Sequence, residues 1–302
     1  MAAEFETVLA AVRPALLRHC YRLAGRFDEA EDLVQQTLER AWRARDSFRG
    51  DAPMERWLFT IATNTCLNAL ERRRHLTMPQ LEVAPSGADF TLVEGEASSF
   101  ISPAPDALLF PGVDEQLERR ETVALAFIAV LQRVPPRQRA AVLLKDVLGW
   151  SAEEISEALE LTVSSVNSAL HRGREALSMV KLHHDEPAPQ TLERFLQAWH
   201  THDLDALVAL LRRDVELAMP PWAMWFRGVE AVRAFFTSPR FQSFWAGGVQ
   251  LVPTRANGSP AFVFSRAGAL HSVMVLRFVD DAVASMDVFV GQTAQFRVPR
   301  LS

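Results

Sequence analysis

The sequence predicts a multidomain chain in which two all-α modules are followed by an α+β domain. Apolar residues repeat at helical spacing through residues 4–75 and again through 119–182. Short runs with strand character follow in the last third of the chain. With 302 residues and 49% hydrophobic content, the chain can bury more than one core. We expect four segments, with bounds 1–75, 76–118, 119–182 and 190–302.

Composition narrows the class of protein. No run of about 18 apolar residues occurs, and the N-terminus has no basic stretch followed by an apolar one, so we expect neither a membrane span nor a signal peptide. Cys20 and Cys66 both lie within helical patterns. Two thiols are too few for a disulfide scaffold, and their surroundings offer no metal-ligand set. We expect a cytoplasmic protein with no metal and no cofactor.

The charge balance bears on nucleic-acid binding. The formal net charge is −5 and the pI is about 5.9. Autonomous DNA binding draws much of its affinity from phosphates that the protein neutralises. An acidic chain that carries DNA-reading motifs should therefore bind DNA weakly alone and need a larger partner.

The first module, residues 1–75, reads as three helices. Their apolar residues run from Leu9 to Leu23, from Ala30 to Trp42 and from Trp57 to Leu70. The sequence FRGDAP at 48–53 separates the second helix from the third, because Gly and Pro disfavour helix.

The segment 76–118 is an acidic linker. It holds eight carboxylates and neither Lys nor Arg. Its prolines, together with Gly and Ser, argue against a continuous helix, so we expect a largely extended chain.

A tight helix pair closes the second all-α module, 119–182. Ser151 and Glu154 have the spacing of a capping box, and Thr162 suits the N-cap of the next helix. Two helices joined by a short turn, the second polar on its outer side, predict a helix-turn-helix. Such side chains suit phosphates and base edges, although a hairpin with a solvated face is the alternative. The polar residues are Ser164, Ser165, Asn167, Ser168, His171, Arg172 and Arg174.

Two sets of motifs resemble one family. DEAEDLVQQTLERAWR (28–43), FRGDAP (48–53) and RWLFTIATNTCLNALERRR (56–74) resemble region 2 of the extracytoplasmic-function group of sigma-70 factors. PPRQRAAVLLKDVLGWSAEEISEALELTVSSVNSALHRGREAL (135–177) resembles their region 4. The matches cover most of residues 5–180, in the family's order.

The resemblance implies a partner, core RNA polymerase. The acidic helix 28–43 matches the family's surface for the β′ clamp helices, and region 4 is implied to meet the β flap. A solvated helix face is the alternative reading of the same residues. The implied clamp-binding residues are Asp28, Glu31, Asp32, Gln35 and Gln36.

The resemblance also implies contacts to promoter DNA. Loop 48–53 and the helix after it match the elements that open the −10 element, where pockets and phosphate contacts replace lost base stacking. The second helix of region 4 is implied to enter the major groove of the −35 element. The implied −10 residues are Phe48, Arg49, Arg56, Asn64, Asn68, Arg72, Arg73 and Arg74.

The linker has an implied role of its own. In the family it threads the active-site cleft of the polymerase, where a run of carboxylates would mimic nucleic-acid charge. A solvated tether is an equal alternative from the residues alone.

The last segment, 190–302, predicts an α+β domain. A helical pattern runs from Leu192 to Leu211 and another covers 229–236. Strand patterns occupy 215–217, 261–264, 273–278 and 283–290. Helices followed by a strand-rich half are typical of this class.

This segment resembles the SnoaL-like members of the nuclear-transport-factor-2-like superfamily. LERFLQAWHTHDLDALVALLRRDVELAMPPWAMWFRGVEAVRAFF (192–236) carries the likeness, while MPPWAMWFRG (219–228) and VPTRANGSPAF (252–262) resemble a sigma subgroup with such a fusion. A curved sheet around a conical cavity is implied. Asp214, His271 and Asp287 are the titratable candidates. Residues expected at a cavity or interface, with plain core as the alternative, are Met219, Trp222, Trp225, Phe226, Trp245, His271 and Asp287.

These observations predict a sigma factor without enzymatic activity, whose C-terminal domain acts in cis. Its expected partners are core RNA polymerase and promoter DNA, with an anti-sigma factor or a small ligand of the C-terminal domain as a further candidate. Two alternatives stay open. One is a ligand-sensing helix-turn-helix repressor, and the other is an isomerase- or cyclase-type enzyme with a DNA-binding appendage.

Overall fold

The structure, a computed structural model, describes residues 2–71, 75–87, 90–91, 94–111, 120–178 and 185–296. It divides into two compact units. The first unit comprises 1–76 and 107–182, and the second comprises 77–106 and 183–302. The predicted linker is therefore shared between the units, and we call residues 77–106 the linker strap.

The described residues form helices in both units and a sheet in the second. The helices are α1 (Ala2–Ala24), α2 (Phe27–Ala44), α3 (Met54–Leu70), α4 (Pro79–Glu82), α5 (Asp106–Leu109), α6 (Leu125–Arg133), α7 (Pro136–Val142), α8 (Ala152–Ala158), α9 (Val163–Ser178), α10 (Pro189–His200), α11 (Leu204–Ala209), α12 (Val229–Thr237) and α13 (Pro239–Trp245). The strands are β1 (Leu211–Ala218), β2 (Trp225–Arg227), β3 (Gln250–Ala256), β4 (Ser259–Arg266), β5 (Ala269–Val279) and β6 (Ala282–Val290).

Helices α1–α3 pack together in the first unit as the apolar spacing predicted. The inner face of α2 is buried at Leu33, Val34 and Ala41. Cys20 and Cys66 are free and buried, as expected. The hydrogen bond that the Cys66 thiol donates to Cys20, together with burial, raises the pKa of the Cys66 thiol.

Helices α8 and α9 begin at the predicted capping residues. The Ser151 hydroxyl accepts from the Glu154 N–H at 3.1 Å, and Glu154 Oε2 accepts from the Ser151 N–H at 2.8 Å. The Thr162 hydroxyl accepts from the Ser165 N–H at 3.1 Å. These bonds satisfy backbone donors that a helix N-terminus leaves without a partner. Both capping predictions are confirmed.

The two predicted all-α modules pack against each other in the first unit. Gln132 Nε2 donates to the Arg22 carbonyl at 3.2 Å. The buried Arg139 guanidinium donates to the Leu23 carbonyl, and its Nη2 donates to the Gln132 and Val134 carbonyls at 3.1 and 3.0 Å. A buried cation needs such acceptors, so these contacts join α1 to α6 and α7. The sequence predicted two separate all-α modules, whereas in the first unit buried polar contacts connect them.

The sheet of the second unit, over its described residues, has the order β2-β1-β6-β5-β4-β3. β1 and β6 are parallel, and the other neighbouring pairs are antiparallel. The predicted strands correspond to β1, β4, β5 and β6. β3 and β4 are joined by a two-residue turn at Asn257 and Gly258, with φ of 55° and 74°. Asn-Gly is the dipeptide that such a turn favours.

One element prediction is wrong. The single helix expected from Leu192 to Leu211 is broken into α10 and α11, and Leu211 already belongs to β1. His202 has a φ of 55°, a left-handed conformation that a helix cannot contain. Asp203 then caps α11, because its Oδ1 accepts from the Ala206 N–H at 2.9 Å. Apolar spacing continues across this break, which is why periodicity alone missed it.

The linker strap packs against the C-terminal domain, within the second unit. The Ser86 N–H donates to the Trp225 carbonyl at 2.7 Å. At the other end, the Ala104 N–H donates to Asn257 Oδ1 at 2.9 Å, and the Asn257 N–H returns a bond to the Ala104 carbonyl at 3.0 Å. Much of the strap is extended, as predicted. Because its backbone forms hydrogen bonds with the C-terminal domain, it belongs to the second unit.

Among the helices that the structure describes, none combines the length and apolar character needed to cross a bilayer.

Candidate nucleic-acid interface and C-terminal cavity

The predicted DNA-reading face of α9 is open to solvent. Its predicted residues, from Ser164 to Arg174, are all exposed, while Val166 and Leu170 are buried on the opposite side. Arg174 is held by Asp146, with Nε 3.0 Å from Oδ2. The face therefore offers hydroxyl, amide and guanidinium groups along one stripe, which suits entry of a helix into the major groove.

The acidic face of α2 is also on the surface. Asp28, Asp32, Gln35 and Gln36 are exposed, and Glu31 is half-buried. Asp28 Oδ2 lies 2.7 Å from Arg26 Nη2 on the surface. Carboxylates and amides on one exposed helix face suit a basic partner surface.

The predicted −10 residues are distributed between exposed and half-buried positions. Arg49 and Asn68 are exposed. Phe48 is half-buried, with its ring centroid 5.3 Å from that of Trp57. Arg72, Arg73 and Arg74 lie outside the described residues.

Two predicted −10 residues on α3 contact α8. Arg56 forms an ion pair with Glu154, and its guanidinium carbon lies 5.5 Å from the centre of the Trp150 ring. Asn64 Nδ2 lies 3.4 Å from the Ala158 carbonyl oxygen. Groups expected to touch promoter DNA are therefore engaged within the protein itself.

The second unit contains a partly open apolar cavity of about 260 Å³. One wall is a face of the sheet, to which Met286, Val288 and Val290 contribute at alternate positions of β6. Helices α10, α12 and α13 supply the opposite wall. Of the residues predicted there, the lining includes Met219, Trp222 and His271.

The titratable candidates do not converge on one site. Asp214 is exposed and ion-paired with Arg212, whose hydrogen bond lowers the pKa of the carboxyl. His271 lines the cavity, and desolvation together with the charge of Arg266 lowers its pKa. Asp287 lies on the other face of β6 from the cavity-lining residues. Among the residues that the structure describes, these three candidates therefore form no acid–base pair within the cavity.

Asp287 instead meets the linker strap. Its Oδ1 accepts from Gln80 Nε2 at 2.8 Å. Burial raises the pKa of Asp287 to about 6, because the charged carboxylate loses its hydration. Arg277 and the Gln80 hydrogen bond oppose that rise, and Glu216 adds to it.

Comparison with known proteins agrees with this architecture. The profile of Sigma-70 region 2 matches residues 8–76, that of Sigma-70 region 4 matches 124–177, and that of the SnoaL-like domain matches 192–287. The ECF RNA polymerase sigma factor SigG of Mycobacterium tuberculosis is 38% identical, over 93% of this chain and 80% of that protein. This chain belongs to the extracytoplasmic-function sigma factors.

Two further relatives fit the assignment. The ECF sigma factor SigW of Bacillus subtilis is 28% identical, over 57% of this chain and 86% of that protein. The crystal structure of the M. tuberculosis extracytoplasmic-function sigma factor SigJ is 21% identical and covers 96% of both chains, with a TM-score of 0.63. The SigJ likeness shows a shared fold along nearly the whole sigma factor.

Sequence reasoning missed most of the cavity of this sigma factor. Trp225, Phe226 and Trp245 are absent from its lining, and Trp225 Nε1 instead donates to the Val83 carbonyl at 2.8 Å. The unpredicted lining includes Trp199 on α10 and Phe235 on α12. The amphipathic pattern of these helices predicts which residues are buried. Which of the buried residues line the cavity depends on packing between elements that are distant in sequence.

Over the described part of the sigma factor, no three His, Cys, Asp or Glu side chains are grouped so as to hold a metal ion.

Proposed function

We propose that this sigma factor binds core RNA polymerase through the acidic face of α2, reads the −35 element with α9 and opens the −10 element with α3. The exposed stripe on α9 supports the reading role. The acidic charge of the whole chain supports dependence on polymerase, because little of the DNA affinity can come from the sigma factor alone. It acts in the cytoplasm, with the polymerase.

The observation that carries the proposal is the contact of α3 with α8, made by the Arg56–Glu154 ion pair and by Asn64 at the Ala158 carbonyl. At about 3.4 Å of rise per base pair, the roughly 25 base pairs between the −10 and −35 positions span about 85 Å. A compact body of about 150 residues has a radius of gyration near 15 Å and a diameter near 40 Å. The packed first unit is too small to reach both elements together. Regions 2 and 4 therefore separate when the polymerase positions them on a promoter.

The C-terminal domain acts in cis through the linker strap. The resemblance implies that the linker threads the polymerase cleft, yet backbone bonds at Ser86 and Ala104 bind the strap to this domain in the free protein. One segment cannot occupy both places. Docking on the C-terminal domain therefore competes with the polymerase-bound arrangement, and strap release accompanies activation.

Transcription with purified core polymerase on a genomic promoter library tests the proposal. The full-length protein should yield promoter-specific transcripts. Arg172→Ala should reduce them about tenfold, since a lost guanidinium contact to a base costs about 1–3 kcal/mol. Arg137→Ala, which removes an exposed guanidinium at the start of α7, is the matched control and should leave transcription unchanged.

The repressor alternative predicts a different result. Tight, sequence-specific DNA binding in the absence of polymerase, together with no binding to core polymerase, would overturn the proposed function.

A further inference from the structure

We propose that docking of the linker strap on the C-terminal domain is coupled to the uptake of one proton by Asp287, so that acidification strengthens strap docking. The coupling arises where the strap's short helix α4 meets β6. Gln80 Nε2 donates to Asp287 Oδ1 at 2.8 Å, and Asp287 is only 9% exposed. Met78 and Pro79, beside Gln80 on the strap, are also buried. Because the docked strap keeps water from a carboxyl group, the charge of that group opposes docking.

The sheet places apolar residues directly beside Asp287. Its neighbour across β1 is Ala218, and its neighbour across β5 is Val275. Both neighbours are buried. Side chains directly opposite one another on paired strands lie on the same face of the sheet, so these two residues flank the carboxyl group. Neither can compensate its charge.

Charged groups at the next positions along the sheet offset each other. Glu216 on β1 and Arg277 on β5 face β6 from opposite sides. Arg277 favours the ionised form of Asp287, whereas Glu216 disfavours it. On the strap, Glu82 Oε1 accepts from the Thr77 hydroxyl at 2.9 Å. The surroundings of the buried carboxyl group therefore supply little net positive charge.

The site is rich in hydrogen-bond acceptors and short of donors. The Asp287 carboxyl group accepts from the Gln80 amide and the Ser285 hydroxyl, which are both neutral. Gln80 Oε1 is buried and has no hydrogen-bond donor within the part of the chain that the structure describes. Burial without compensation raises the pKa of Asp287 to about 6. A proton both removes the buried charge and adds a donor.

The sign of the coupling follows from the two states of the strap. With the strap docked, the pKa of Asp287 is about 6, whereas a carboxyl group released into water has the ordinary value of 3.8. The docked state therefore binds the proton more tightly, so docking is strongest in acid and weakens as pH rises through about 6. Between pH 7.5 and pH 5 the docking constant should rise about tenfold.

Proton uptake acts at the N-terminal end of the strap, where the chain leaves region 2. Acid holds this end on the C-terminal domain, and a rise in pH favours its release. In the proposed function, strap docking competes with the polymerase-bound arrangement, so the sigma factor is restrained in acid. That regulatory meaning rests on the proposed function, whereas the proton coupling itself does not.

Amide hydrogen exchange of the full-length protein measures the coupling. The Ser86 N–H, which donates to the Trp225 carbonyl at 2.7 Å, reports opening of the strap. Its protection factor, relative to the intrinsic exchange rate at each pH, should rise about tenfold from pH 7.5 to pH 5. In Asp287→Asn the factor should be equal at both pH values, and at least as large as that of wild type at pH 5. Glu193→Gln, which neutralises an exposed carboxylate of α10, should behave as wild type.

Three results would contradict the coupling. One is a Ser86 protection factor that does not change with pH in the wild type. Another is a tenfold rise that persists in Asp287→Asn, since the proton would then bind elsewhere. The third is equal protection of Ser86 and of the amides of β5, in the middle of the sheet, because the strap would then open only when the whole domain unfolds. These measurements contain no polymerase, so a failed transcription assay would leave the inference standing.

Discussion

Arg56 on α3 and Glu154 on α8 form an ion pair that joins region 2 to region 4. The two carboxylate oxygens of Glu154 bind different partners. Oε2 accepts from the Ser151 N–H at the start of α8, while Oε1 meets the Arg56 guanidinium. One carboxylate thus completes the helix-turn-helix and also occupies a cation that region 2 is expected to offer to promoter DNA.

Glu154→Gln should favour separation of the two regions. A glutamine retains the capping bond but loses the charge that holds Arg56. Both side chains are about one-third exposed, so the pair is worth about 0.2–1 kcal/mol. We expect the holoenzyme to form open complexes up to about fivefold more readily, as measured by permanganate reactivity at the −10 element. Glu157→Gln, on the exposed side of the same helix, should behave as wild type, and an equal effect of both variants would contradict this account.

Gly173→Ala should destabilise the helix-turn-helix, although alanine is normally the better helix former. A Cβ at this position would lie 2.5 Å from Val142 Cγ2, inside the packed core of α7 and α9. Overpacking of this kind costs about 1–3 kcal/mol. Urea unfolding should show the loss. In Gly173→Ala/Val142→Ala the two effects should be far from additive, because the second change removes the clash; additive losses would show that no clash exists.

Asp287→Asn should stabilise the second unit at neutral pH. The folded-state pKa of about 6 lies above the ordinary 3.8, so the folded protein holds this proton more tightly than the unfolded chain. That contribution to stability is complete below pH 3.8 and is lost as pH rises through about 6. Asparagine removes the cost of burying charge and still accepts from Gln80.

Thermal unfolding at several pH values checks the Asp287 prediction. At pH 7.5 the variant should gain about 1–3 kcal/mol, and the gain should vanish towards pH 4. Asp51→Asn, an exposed carboxylate in the other unit, is the control. A gain independent of pH would rule out titration as its cause.

His19 should make the first unit sensitive to acid. Burial, and to a smaller extent the charge of Arg22, lower its pKa from 6.5 to about 3. The unfolded chain therefore binds a proton that the folded protein excludes, and stability falls as pH drops from 6.5 towards 3. The fall approaches about 1.4 kcal/mol per pH unit. Urea unfolding of His19→Gln should show a lower stability at pH 7.5 but a shallower loss on acidification; parallel curves would disprove the assignment.

Local signals predicted much of this fold. Ser151 and Thr162 are N-cap residues, and each bonds to a backbone N–H only three residues further along the chain. The sequence alone could therefore locate the starts of α8 and α9. The Asn257–Gly258 turn carried an equally local signal for a hairpin, which our strand assignment did not use. The break at His202 was missed because apolar spacing remains helical across it, although the N-cap residue Asp203 is a local signal for a new helix start.

The functional surfaces likewise differ in whether they depend on local sequence or on contacts between distant residues. The exposed stripe of α9 could be predicted from helical periodicity, because the apolar positions that face the core determine which positions face solvent. The pairings of Arg56 with Glu154 and of Gln80 with Asp287 join residues that are 98 and 207 positions apart. Nothing in either local sequence indicates its partner.

A reversible cross-link between region 2 and region 4 tests the central claim most directly. His75 and Arg133 are exposed, and His75 Nδ1 lies 3.0 Å from the carbonyl oxygen of Gln132, next to Arg133. His75→Cys/Arg133→Cys would be joined by a reducible bis-maleimide, with the native thiols protected by burial. We predict that the cross-linked protein fails to direct promoter-specific transcription by core polymerase, and that reduction restores it to the level of the single variants. Full transcription by the cross-linked form would contradict the claim that regions 2 and 4 must separate.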